Sequence, residues 1–135
     1  MKIKAVTLAS AVALAVGGAL ISAGQASAAA ENCRTGYFCI YLNGNWQGEM
    51  ATYSSTCVSA IQGTLPGQYL NDHTSSVANK TTKNLKLYEH TNFGGRYINV
   101  PAQSIIDLTK NVTVYHNNGT WSHTGPFNDV LSSFC

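Results

Sequence analysis

Apolar positions along this chain come in two textures. Near the start they form one long run, Ala5 to Ile21, interrupted at Gly17-Gly18. Beyond residue 30 they occur as short runs rich in aromatic and aliphatic residues, FCIYL, EMATY, NLKLY and RYINV, each bounded by Gly, Asn or Ser. Runs of that length and content predict β-strands, and no stretch of useful length carries a helical period. QSIIDL, Gln103 to Leu108, is the one segment that predicts a helical turn. Several short strands at this spacing predict an all-β, antiparallel sandwich with Greek-key connections.

The pattern repeats. Tyr41-LNGN-Trp46-Gln-Gly48 matches Tyr88-EHTN-Phe93-Gly-Gly95 at an offset of 47 residues. Each copy is followed by Asn-Asp-x-x-Ser-Ser, as Asn71 to Ser76 and again as Asn128 to Ser133. The second copy carries about ten more residues before its hexapeptide, and the loop-like NNGTWSHTGP, Asn117 to Pro126, is where they are expected. In a folded-over hairpin the two aromatic rings can stack across the bend. The glycine then supplies a backbone angle that a side chain resists.

The early apolar run has a separate meaning. Lys2 and Lys4 precede it and Ala26-Ser27-Ala28 closes it, so residues 1–28 read as a secretory signal cleaved after Ala28. What remains, 29–135, is long enough for a single domain, with two motifs at about 33–80 and 81–135. Without Lys2 and Lys4, six basic residues face six acidic ones. A neutral chain lacks the basic stripe that nucleic acid requires, and Lys80, Lys83 and Lys86 read as the solvated face of a strand and its preceding turn. No stable membrane insertion is expected once the signal is removed.

Four cysteines, Cys33, Cys39, Cys57 and Cys135, lie in the exported part and imply two disulfides. Three pairings are open. Cys33 and Cys39 flank Thr35-Gly36, a plausible turn, so a local bridge is geometrically easy and leaves Cys57–Cys135 as the long-range staple. A zinc site needs tighter Cys or His spacing than His73, His90, His116 and His123 supply.

With both elements doubled and in order, the sequence resembles the βγ-crystallin superfamily. Its Greek-key motif is similar to YLNGNWQG and YEHTNFGG, and its microbial members carry the signature N/D-N/D-x-x-S/T-S. The opening CRTGYFCIY and the closing NDVLSSFC resemble actinobacterial secreted proteins of peptidase inhibitor family I36. The resemblance implies calcium at the hexapeptides, through the Asp72 carboxylate, the His73 carbonyl and the Ser75 hydroxyl at one site. Asp129, the Val130 carbonyl and Ser132 would form the other. Because motifs in the family exchange arms, Leu42 and Glu89, each following a leading aromatic, would also point at a site, and only Glu89 can add a carboxylate. Calcium favours such mixed oxygen donors, and one or two carboxylates per site place the affinity at roughly 10⁻⁵ to 10⁻³ M. The same residue types also form Asx-turns and hydroxyl caps without any metal.

No sequence signature of an enzyme is present: G-x-S-x-G, H-E-x-x-H and the phosphate-cradling G-x-x-x-x-G-K are all missing. The family resemblance implies inhibition of a secreted metalloprotease, and the exported chain is expected to be an extracellular monomer. Inhibition requires a projecting loop held in an extended shape. Its residues are not written in the sequence, although the segment at Cys57-Val58 and the insertion around Trp121, flanked by His116 and His123, are candidates. The alternative is a calcium-stabilised binding or structural module without inhibitory activity, of the kind the fold also provides in antimicrobial killer toxins.

Overall fold

The structure is a computed structural model and describes residue 30 and residues 32–65 and 68–135. The expected signal at 1–28 lies outside the described residues.

Phe38–Asn43 (β1) and Gln47–Tyr53 (β2) form a first hairpin, and Leu85–His90 (β6) and Gly94–Val100 (β7) form a second. Between them lie the short ribbon Thr64–Leu65 (β3) and Gln68–Tyr69 (β4), and the strand Ser76–Asn79 (β5). After the second hairpin come Ser104–Asp107 (β8), Val112–His116 (β9), Trp121–Gly125 (β10) and Ser133–Phe134 (β11). Sheet order is β2-β1-β5-β8 in one layer and β10-β9-β7-β6-β11 in the other.

The repeat seen in the sequence is a repeat in register. Asn43 pairs with Gln47 and His90 with Gly94, each just past a bulge that follows the leading aromatic. Both turns use two successive left-handed residues and then a glycine: Asn45, Trp46 and Gly48 in one, Asn92, Phe93 and Gly95 in the other. A bulky residue in that region is strained, so something must hold it. The last serine of each hexapeptide does so. Ser76 Oγ accepts from the Trp46 amide at 2.9 Å and donates to the Asn43 carbonyl at 2.6 Å. Ser133 Oγ accepts from the Phe93 amide at 3.1 Å and donates to the His90 carbonyl at 2.6 Å. The Tyr88 and Phe93 rings meet edge to face, 5.7 Å apart, across the second bend.

The two halves are interleaved. β8 follows the second hairpin yet pairs with β5 in the first sheet, while Val58 follows the first hairpin and bridges Phe134 in the second. Phe38 and Ile40 on one face of β1 join Leu85, Leu87, Ile98, Val100, Leu131 and Phe134 in the core between the layers. On its other face, Cys39 and Tyr41 are covered by Cys33, Tyr37 and Trp46. This strand is therefore buried on both sides, which explains its unbroken apolar run. Disulfides join Cys33 to Cys39 and Cys57 to Cys135.

Two expectations are corrected. QSIIDL is not a helical turn: Ser104–Asp107 is an edge strand paired residue for residue with β5. A six-residue segment cannot nucleate a helix alone, and an open sheet edge offers it hydrogen bonds that a turn would not. Nor is NNGTWSHTGP a plain loop. It forms the tip and second strand of the β9–β10 hairpin, which extends the second sheet beyond β7.

Asp107 ties β8 back to the first turn. Its carboxylate accepts from the amide and hydroxyl of Thr109 at 3.0 and 2.6 Å and from the Asn45 amide at 3.1 Å. Burial alone would raise its pKa, but these hydrogen bonds outweigh it and hold the group below the ordinary 3.8. A depressed acid stabilises the fold above the unfolded-state pKa, and that contribution is lost as pH falls through the folded value. D107N should cost about 1 kcal/mol at neutral pH, because charge-assisted bonds become neutral ones. The gap from wild type should close as pH drops below 3.8, as followed by urea unfolding at several pH values; a gap independent of pH would contradict it.

Candidate calcium site

Asp72 and Asp129 both adopt left-handed backbone, with φ of +58° and +57°, a conformation that short polar side chains tolerate. Each is braced by the asparagine before it: Asn71 Nδ2 donates to Asp72 Oδ2 at 2.8 Å, and Asn128 Nδ2 to Asp129 Oδ2 at 2.7 Å. The remaining carboxylate oxygens reach across to the other hexapeptide. Ser132 Oγ donates to Asp72 Oδ1 at 3.0 Å, and Ser75 Oγ to Asp129 Oδ1 at 3.3 Å. The backbone repeats the exchange, with the Asp72 amide on the Leu131 carbonyl and the Asp129 amide on the Thr74 carbonyl.

This geometry regroups the donors expected from the sequence. Each hexapeptide does not assemble its own aspartate and serine; the pairs are crossed, Asp72 with Ser132 and Asp129 with Ser75. The Ser75 amide donates to the Tyr41 carbonyl and the Ser132 amide to the Tyr88 carbonyl, both at 2.9 Å, so Leu42 and Glu89 begin beside opposite ends of the pair. An open cleft of about 590 Å³ is lined by Asp72, Glu89, His90, Thr91, Asp129, Val130 and Ser132. Leu42, His73 and Ser75 are not among those lining residues, and Leu42 packs against the core. The ring of His73 turns back on its own loop, its Nδ1 2.9 Å from the Asn71 carbonyl oxygen.

Glu89 is not a free carboxylate. Arg96 grips it with two nitrogens, Nε at 2.9 Å and Nη2 at 2.5 Å. The Arg96 side-chain hydrogen bond, opposed by burial and aided by charge, holds the Glu89 pKa below its ordinary 4.5. Nothing in the spacing of the sequence marked Arg96. It follows Gly95 on β7, and only the register of β6 against β7 brings it back to Glu89.

Donor chemistry decides the fit to calcium. Among the described residues, no three His, Cys, Asp or Glu side chains gather as metal ligands. The hexapeptides offer carboxylate, hydroxyl and carbonyl oxygens instead, the donor mixture calcium accepts. Asn71 Oδ1 in the same turn is buried and lacks a hydrogen-bond partner. The residues fit a hard divalent cation and not a soft one.

Two interleaved hairpin motifs closed by crossed hexapeptides define a βγ-crystallin fold. A solved structure titled "Evolution of the eye lens beta-gamma-crystallin domain fold" shares it, with a TM-score of 0.53 and 24% identity, covering 74% of this chain and 83% of that one. A βγ-crystallin from an archaeon (TM-score 0.48, 20% identity, 75% and 96% covered) and one from Ciona intestinalis (0.48, 21%, 73% and 96%) also match. The sequence profile of peptidase inhibitor family I36 matches residues 26–100, and the chain belongs to that family. No curated protein matches the chain.

Proposed function

We propose that this protein is an extracellular peptidase inhibitor whose βγ-crystallin fold is stabilised by calcium. The crossed Asp–Ser pairs carry the calcium reading, since they place two equivalent sets of oxygen donors at the junction of the two motifs. Asp72, Ser132 and the main-chain oxygens of Val130 and Glu89 would hold one ion. Asp129, Ser75 and the main-chain oxygens of His73 and Leu42 would hold the other. Bound calcium would supply positive charge between chain segments joined by the crossed hydrogen bonds. With Arg96 engaging Glu89, each set counts one aspartate carboxylate, which supports affinities of roughly 10⁻⁵ to 10⁻³ M.

Calorimetric titration of calcium into the disulfide-bonded protein should show saturable heat and a rise in melting temperature at millimolar calcium. D72A and D129A should each remove part of that rise. No heat and no thermal shift in the wild type would sink the calcium reading.

Membership of family I36 supports inhibition of a peptidase, and the target class proposed is a secreted metalloprotease. Of the two segments considered for contact, Cys57-Val58 is held by the disulfide to Cys135 and by paired hydrogen bonds between Val58 and Phe134 at 2.8 and 3.0 Å. Such a preordered segment loses little entropy on binding. Trp121 is 52% exposed on the outer strand β10. Assays against thermolysin-like, subtilisin-like and trypsin-like proteases should show slowing of the metalloprotease. Activity of all three unchanged at micromolar protein would favour a calcium-stabilised binding module.

A further inference from the structure

The β9–β10 hairpin holds the residues that the second copy of the repeat has in excess of the first, and it lies beyond the residues matched by the family profile. His116 pairs with Trp121 across the hairpin, and His123 sits two residues further along β10, so the two histidines occupy diagonal positions on one face. Their ring nitrogens, His116 Nε2 and His123 Nδ1, are 2.7 Å apart. The His116 ring lies flat on Trp121, with centroids 3.5 Å apart and planes at 7°. The His123 ring lies over Gly125, where an added Cβ would come within 3.3 Å of it.

The two facing ring nitrogens share one proton. A borderline divalent ion to one side of the line between them can replace that proton, because each ring can move its remaining proton to the other nitrogen and turn a lone pair toward the ion. Metal–nitrogen bonds of about 2.0–2.1 Å at a right angle set cis nitrogens about 2.9 Å apart, close to the spacing found. Burial first, then the charges of His123 and Arg96, hold the His116 pKa below its ordinary 6.5, with Glu89 opposing. Glu89, Arg96 and Asn118 line the same small cleft, where the Glu89–Arg96 pair leaves little net charge to repel a cation.

We propose that His116 and His123 form a two-nitrogen chelate for a late first-row divalent ion, distinct from the oxygen-lined hexapeptide site. Solvent completes the coordination. Imidazole donors rank Cu²⁺ above Ni²⁺ and Zn²⁺ and disfavour Ca²⁺ and Mg²⁺.

The test is titration of the disulfide-bonded protein with Cu²⁺ and with Ni²⁺, followed by calorimetry and by tryptophan fluorescence. One equivalent should bind, Cu²⁺ more tightly than Ni²⁺, and Cu²⁺ should quench Trp121 through its contact with His116. H116A and H123A should each weaken binding by about tenfold or more, as loss of one arm of a chelate requires. W121F should abolish the quenching while keeping the heat, and the H73A/H90A pair should bind as wild type does. Circular dichroism checks that each variant is folded. Binding that survives in both single histidine variants, fails to saturate, or disappears in H73A/H90A would overturn the proposal.

Discussion

Replacing Cys57 and Cys135 together by serine should lower the unfolding free energy by about 4.5 kcal/mol, from the loop-entropy relation for a closed loop of this length. The bridge spans a sequence separation of 78, against 6 for Cys33–Cys39, whose removal by the same relation should cost about 2.4 kcal/mol. The structure adds a reason why the long bridge matters locally. Cys135 exchanges backbone hydrogen bonds with Lys86 at 2.8 and 3.0 Å, and the ring of Phe134 beside it packs at a tilt against Phe38 in the core, with centroids 4.5 Å apart. Without the covalent tie, the two-residue strand β11 would keep its place at the edge of the second sheet only by its pairing with β6 and the packing of Phe134. Guanidinium unfolding of the two double variants checks the ranking. Equal losses, or a larger loss for Cys33–Cys39, would show that denatured-state entropy does not govern these bridges.

Asn79→Ala should cost about 3–4 kcal/mol, a large value for a single polar side chain. Asn79 is fully buried at the end of β5. Its amide nitrogen lies 2.9, 3.2 and 3.0 Å from the carbonyl oxygens of Lys83, Val100 and Pro101, and its oxygen accepts from the amide and hydroxyl of Thr81. One side chain thus links the first sheet to the turn before β6 and to the end of β7. Alanine would leave buried carbonyls unpaired, which costs more than the bonds themselves contribute. Urea unfolding that shows a loss below about 1 kcal/mol would mean that water replaces the amide. The same burial explains why Asn79-Lys80-Thr81, a glycosylation sequon on paper, is closed to sugar in the folded protein. Its polarity in the sequence gave no warning of this role.

Much of the fold was legible because it was written twice. The aromatic-x4-aromatic-x-Gly element forces a chain reversal through its left-handed residues wherever it stands, so both hairpins could be placed from local chemistry. The doubled hexapeptide pointed to a site, and the even cysteine count to two bridges. The crossing of Asp72 with Ser132 and of Asp129 with Ser75 could not be read, since a residue type and a spacing do not say which distant loop lies opposite. Each final serine, Ser76 and Ser133, was legible as part of a motif but not as the clamp on a strained turn.

Local preferences were overruled where the sheets had open edges. Ser104–Asp107 is a strand because β5 offers it a row of partners, and Trp121–Gly125 is one because Val112–His116, lying beside β7, offers it an edge. The sequence by itself determined the elements whose geometry is enforced within a few residues: the folded hairpins and the alternation that turns Phe38 and Ile40 to one face of β1. The tertiary structure alone decided what depends on distant neighbours: the exchange of strands between halves, Arg96 closing on Glu89, Asn79 joining two sheets, and His116 meeting His123. Sterics act over one turn of backbone, whereas a hydrogen bond between loops 60 residues apart exists only once the packing of the whole core has brought them together.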